Sequence, residues 1–202
     1  MTIILDLDDT LVDTSGFKEA LFHCLDHQGV SRAEFATAYA KLRKRHDFSV
    51  EGLYKFLPHV SRPTYREYEE GIRRVLAHYP FRMYPDVRWF LAHCRGHRRV
   101  LYTYGNELVQ NLKVRSLKLR PLFHQVVITN DPTKLRDLPM IAAASMPAVL
   151  IDNDSIFIER AGKAFPNIRS FCITRRRLSA VGAYPDLQSI YYILKKERLL
   201  SL

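Results

Sequence analysis

Short apolar runs alternate along the chain with stretches of helical periodicity. The runs are Ile3–Leu7, Val100–Thr103, Val126–Ile128, Ala148–Ile151 and Ser170–Ile173. They are almost continuously apolar, as parallel strands covered on both faces require. Between them lie helix patterns over Pro85–Arg95 (stopped by Gly96), Asn106–Lys118, Thr133–Ala144 and Asp154–Ala164, with a last one from Asp186 to the C-terminus. This alternation predicts an α/β fold: a doubly wound, parallel, Rossmann-like sheet.

Residues 15–84 break the alternation, because only helices are readable there. The first helix runs Phe17–Gln28 with Leu21, Phe22 and Leu25 on one face and Gly29 as its stop. The second opens with Ser31 and Glu34 as a capping box and carries Phe35, Ala38, Tyr39 and Leu42. A short third begins near Ser49, with Leu53, Phe56 and Leu57 apolar. A fourth opens with the box Thr64 and Glu67 and ends at Pro80. The expected organisation is therefore a core from 1–14 and 85–202, with a helical domain inserted at 15–84. No internal repeat and no low-complexity tract is readable.

Composition narrows the class. With 202 residues, 47% of them hydrophobic, the chain can bury a substantial core. No apolar run approaches the ~18 residues of a membrane span. Acids follow the first apolar run at once and no basic segment precedes it, unlike a signal peptide. Cys24, Cys94 and Cys172 are odd in number and far apart, so they read as reduced thiols of a cytoplasmic protein. The net charge of +10 leaves room for a nucleic-acid partner or an anionic substrate.

Against that positive charge, Asp6, Asp8, Asp9 and Asp13 crowd behind the first strand. Side chains two apart on a strand point the same way, so Asp6 and Asp8 project together. They do so at the carboxyl end of the strand, where open α/β sheets bind ligands. Close carboxylates need a cation or a shared proton. Asp9 points to the other face, and Asp13 lies further along the loop.

The segment Asp6-Leu7-Asp8-Asp9-Thr10 resembles the first motif of the haloacid dehalogenase-like (HAD) hydrolases. Three further matches follow in the family's order. Thr103 in VLYTYGN ends a hydrophobic strand, Lys134 in DPTKLRDL precedes the fourth strand, and Asp152 in VLIDND ends that strand. The helical insertion sits where this family carries a helical cap. The fourth motif is incomplete, with Asn153 beside Asp152 and Asp154 placed to cap the next helix.

The resemblance implies a phosphatase of HAD type. Asp6 would be the nucleophile that forms an aspartyl-phosphate, and Asp8 the acid and then the base. Mg²⁺ would be held by the Asp6 carboxylate, the Asp8 backbone carbonyl and Asp152. Thr103 and Lys134 would bind the phosphoryl oxygens. The expected substrate is a small phosphorylated metabolite, because a helical cap restricts access. Dehalogenation fits less well, since that branch lacks an acid at the position of Asp8. A phosphotransferase would use the same residues. The rival from another class is a non-catalytic HAD-fold module whose basic surface binds nucleic acid or protein.

The remaining charged features have plainer readings. Lys134 is expected in the first turn of a helix, an unfavourable place for a cation that hints at a nearby anion, with Arg136 as the competing candidate. Lys41–Arg45 reads as a cationic helix end, and Arg175–Arg177 as a solvated loop. The histidines show no metal-ligand spacing with the cysteines. The basic runs are short and lack a stacking-aromatic motif, which argues against a polynucleotide.

Overall fold

The computed structural model describes residues 1–45, 50–143, 147–175 and 182–200. The elements begin β1 (Thr2–Leu5), β2 (Val12–Asp13), α1 (Ser15–Asp26), α2 (Arg32–Arg45), α3 (Val50–Phe56) and α4 (Tyr65–His78). There follow β3 (Arg82–Met83), α5 (Asp86–His93), β4 (Arg98–Tyr104), α6 (Glu107–Ser116), a 3₁₀ turn (Arg120–Leu122) and β5 (Gln125–Thr129). The chain continues with α7 (Leu138–Ala143), β6 (Ala148–Asp152), α8 (Ser155–Ala164), β7 (Ile168–Ile173), β8 (Ala183–Tyr184) and α9 (Leu187–Lys196).

Six strands form one sheet in the order β5-β4-β1-β6-β7-β8, and every neighbouring pair is parallel. Numbered by chain order within this sheet, that is 3-2-1-4-5-6, the doubly wound Rossmann order. The winding reverses between β1 and β6. Ile4, Val100, Tyr102, Leu150, Phe157 and Ile168 share one buried cluster there, which explains why these strands read as unbroken apolar runs.

Two compact units share the chain. One comprises Met1–Asp13, Arg82–Tyr104 and Val114–Leu202; the other comprises Thr14–Phe81 and Gly105–Lys113. The helical unit differs from the expected 15–84 in ending at Phe81 and in including Gly105–Lys113. Arg82 and Met83 pair with Asp13 and Val12 in an antiparallel ribbon that draws them into the sheet unit. Two-residue strands carry too little periodicity to be legible in sequence. Gly105–Lys113 joins the helical unit because Val109 and Leu112 of α6 pack against its core.

That helical core contains Leu21, Phe22, Leu25, Phe35, Tyr68 and Ile72. Both capping boxes form. Thr64 Oγ1 accepts from the Glu67 backbone N–H while the Glu67 carboxylate accepts from the Thr64 N–H at 2.9 Å. Ser31 and Glu34 pair the same way, with the Ser31 N–H 2.8 Å from Glu34 Oε2. Ser49 lies outside the described residues.

The three cysteines are free. No described helix is long and apolar enough to cross a membrane. Arg175 corrects the solvated-loop expectation. Its guanidinium is buried, with Nη1 2.7 Å from Asp86 Oδ2, and it donates to the Thr10 carbonyl through Nε and Nη2. Those contacts cross 89 and 165 residues of sequence, beyond any local pattern. Arg176 and Arg177 lie outside the described residues.

Candidate active site

β1 ends at Leu5, so Asp6 stands one residue beyond the expected strand interior. Its backbone N–H still continues the ladder, donating to the Ile151 carbonyl at 3.0 Å. Leu5 is in register with Ile151 of β6 and Leu101 of β4. Asp6 is therefore level with Asp152 on one side, and Thr103 is near on the other. All three lie at the carboxyl ends of the strands, on either side of the winding reversal. Asp6, Thr103 and Asp152 are buried.

Beyond Asp6 the chain turns tightly. The Leu11 and Val12 N–H groups both donate to the Leu7 carbonyl at 2.9 Å. Asp9 closes the turn in the left-handed region (φ 53), a conformation that aspartate tolerates better than most residues. Asp8 is partly exposed, and its charge reaches Asp6.

Lys134 joins the two buried acids. Its Nζ lies 2.7 Å from Asp6 Oδ1 and 2.5 Å from Asp152 Oδ2. Burial is the largest influence on Asp6 and the Asp152 charge the next; despite Lys134 they push the Asp6 carboxyl up to about 7. Burial alone would lower Lys134, but the Asp152 and Asp6 charges outweigh it and hold the amine above its ordinary range. Two carboxylates thus share one ammonium, an arrangement short of positive charge.

The expected first-turn placement of Lys134 is wrong. α7 starts at Leu138, and Lys134 sits in the preceding loop with φ 57. A left-handed lysine costs about 1 kcal/mol or more and persists only where its surroundings hold it. Here Asp131 Oδ1 accepts from the Thr133 N–H at 3.0 Å, and Asp131 Oδ2 from the Arg136 N–H at 3.0 Å. Tyr102 donates its hydroxyl to the Lys134 carbonyl at 2.9 Å. Burial pushes the Tyr102 phenol up to about 12, so it remains a donor. Thr129 Oγ1 donates to Asp137 Oδ2 at 2.7 Å, and Arg136 Nε donates to Asp137 Oδ1 at 2.9 Å. Arg136, the competing cation, is spent on this loop. These holding residues escaped the sequence reading. The available signals were the tyrosine inside an apolar strand and the Asp-Pro-Thr turn.

Asp154 caps α8, its Oδ1 accepting from the Ile156 N–H at 2.9 Å and the Phe157 N–H at 3.2 Å. The Asp154 N–H in turn donates to Asp152 Oδ1 at 2.8 Å, fixing that carboxylate.

No family model matches the sequence, and no curated protein matches it. Solved structures do match in shape. A haloacid dehalogenase-like family hydrolase from Xanthomonas campestris superposes with TM-score 0.71 at 17% identity, covering 97% of this chain and 91% of that one. The chain has the haloacid dehalogenase-like fold. Magnesium-bound YfnB from Bacillus subtilis, a HAD-hydrolase by its description, matches this chain at TM-score 0.67 and 12% identity, over 96% of it and 97% of YfnB. The L-2-haloacid dehalogenase of Xanthobacter autotrophicus, solved with chloropropionic acid covalently bound, matches at 0.64 and 12%, over 96% and 98%. One fold thus carries different chemistries, and the site must decide between them.

Among the site residues read from the sequence, Asp6, Lys134 and Asp152 meet directly. Asp8 acts on Asp6 through its charge, as the last of the contributions. Thr103 stands at the end of the neighbouring strand. Among the described residues no three His, Cys, Asp or Glu side chains converge as a metal cage. Mg²⁺ does not demand one: it keeps several waters and takes one or two carboxylates. The two underneutralised oxygen donors of Asp6 and Asp152 fit it.

Proposed function

We propose that the protein is a magnesium-dependent phosphomonoester hydrolase working through an aspartyl-phosphate, with a small soluble phosphorylated metabolite as substrate. The observation that carries this is the Asp6–Lys134–Asp152 triad at the sheet's winding reversal, with Asp8 two residues from the nucleophile.

Asp6 attacks phosphorus through a carboxylate oxygen, and the bond to the leaving oxygen breaks. Asp8 gives that oxygen its proton. Asp8, now ionised, takes a proton from water, whose oxygen attacks the same phosphorus and releases phosphate from Asp6. Lys134 opposes the burial and the Asp152 charge that favour a protonated Asp6 and, with Thr103, offers donors to the phosphoryl oxygens. Mg²⁺, held by Asp6, Asp152 and the Asp8 carbonyl, would offset the repulsion between carboxylates and phosphate. Asp8 favours phosphate over halide chemistry, since a departing alkoxide needs a proton and a departing halide does not.

The test is hydrolysis of p-nitrophenyl phosphate and a panel of phosphorylated metabolites. Mg²⁺ should restore activity that EDTA removes, with Ca²⁺ a poor substitute because its larger, looser shell misplaces the nucleophile. Full activity after exhaustive chelation refutes the metal, and inactivity on every phosphate ester with Mg²⁺ present refutes the reading.

A further inference from the structure

A cavity of about 150 Å³ lies between α5, the start of β4 and the 3₁₀ turn. Leu91, Ala92 and Leu122 form its apolar lining, and its polar lining is Arg88, Arg95 and Arg99. Among the described residues no acidic side chain lines it. Sequence charge is equally one-sided here, because Glu107 is the only acid between Asp86 and Asp131. Asp86 itself is committed, its Oδ2 accepting from Arg175 Nη1 and from the Leu187 N–H at 2.7 Å.

Arg99 adds the second observation. Its Nη1 donates to the Leu91 carbonyl at 3.1 Å, which pins the guanidinium at the cavity. Its Nε is buried and has no acceptor among the described residues. A buried donor without a partner costs free energy, and a charged one costs more. Three guanidinium groups around one small volume also repel one another. An anion among the three groups would remove that repulsion.

We propose that this cavity binds the phosphate group of a small ligand. Guanidinium forks match phosphate oxygens two at a time. Three forks exceed what a planar carboxylate can accept, and they suit a tetrahedral dianion. The volume, on the order of five waters, admits a phosphate with a few carbons. The site is separate from the carboxylate triad. Arg99 and Thr103 are four residues apart on β4, and at about 3.3 Å per residue that is roughly 13 Å. The ligand therefore bears on β4 from the end opposite the catalytic residues, and the proposal does not depend on the hydrolase reading.

The experiment is a titration of the full chain with inorganic phosphate, following the Arg99 Nε–Hε resonance, identified by its loss in Arg99→Lys. The titration is repeated in the Asp6→Asn variant, so that phosphate at the carboxylate triad is told apart. A saturable shift is expected in both proteins, with half-saturation on the order of 1 mM. Sulfate should reproduce it and chloride should not. Arg88→Gln with Arg95→Gln alters two exposed side chains and should weaken binding at least about tenfold. An absent shift, a shift matched by chloride, or unchanged affinity in the double variant overturns the proposal. An RNA oligomer that binds about a hundredfold tighter per phosphate, with a steep salt dependence, also overturns it in favour of a polynucleotide surface.

Discussion

Lys134 Nζ lies 2.7 Å from Asp6 Oδ1 although 128 residues separate the two in the chain. The same amine reaches Asp152, so one cation balances two carboxylates in a buried place. That balance sets the first two predictions.

Replacing Lys134 by Met leaves Asp6 and Asp152 facing each other without their cation. Breaking a buried ion pair from one side costs about 3–5 kcal/mol. Thermal unfolding in EDTA should show a loss of that order, and turnover should disappear. Millimolar Mg²⁺ should return much of the stability but not the activity. A variant as stable as wild type in EDTA would show that the two carboxylates do not depend on Lys134.

Asp6→Asn removes a carboxylate that burial and Asp152 hold up to about 7. Turnover of p-nitrophenyl phosphate should be abolished, because the amide cannot form the acyl phosphate. Metal-free stability should be unchanged or higher, since a repulsive charge is gone. Turnover near the wild-type rate would remove Asp6 as nucleophile.

The neighbouring acids after β6 should separate cleanly. Asp152→Ala should raise the Mg²⁺ requirement strongly or abolish activity. Asp154→Ala loses the two cap bonds to Ile156 and Phe157, worth about 1 kcal/mol of stability, with little change in Mg²⁺ dependence. Activity against Mg²⁺ concentration measures the first effect and denaturant unfolding the second. Equal loss of Mg²⁺ dependence in both variants would reassign the metal ligand.

The loop that holds Lys134 should fail in acid. Burial opposes ionisation of Asp131, but the Arg136 and Thr133 N–H groups outweigh it and hold the carboxyl below its usual range. Hydrogen bonds from Arg136 and Thr129 do the same for Asp137. A depressed carboxyl stabilises the fold fully above its unfolded value near 4 and loses that contribution as pH falls through the folded value. Melting temperatures of wild type and Asp131→Asn should therefore differ at pH 6–7, and the gap should shrink steadily as pH falls below about 4. A gap that stays constant over that fall would mean that the carboxylate's charge is not what fixes the loop.

Much of the fold was legible because its signals are local. The strand runs around Ile4, Val100 and Leu150 are apolar on both faces, a property that burial imposes on sequence directly. The boxes at Ser31 and Thr64 and the cap at Asp154 each need only residues within one turn, and the structure forms all three. The two-residue ribbon of β2 and β3 was not legible, nor was the allegiance of Gly105–Lys113 to the helical unit, since each depends on a distant partner.

By itself, the sequence determined an α/β chain with a parallel sheet, an inserted helical stretch, and acids or hydroxyls at successive strand ends. Only the tertiary structure decided that Lys134 lies in a left-handed loop rather than a helix, that Tyr102 and Asp131 hold it there, and that it binds Asp6 and Asp152 together. Periodicity records which face of an element meets the core. It carries no record of which charge meets which, because residues far apart in the chain are brought into contact by strand order and register alone.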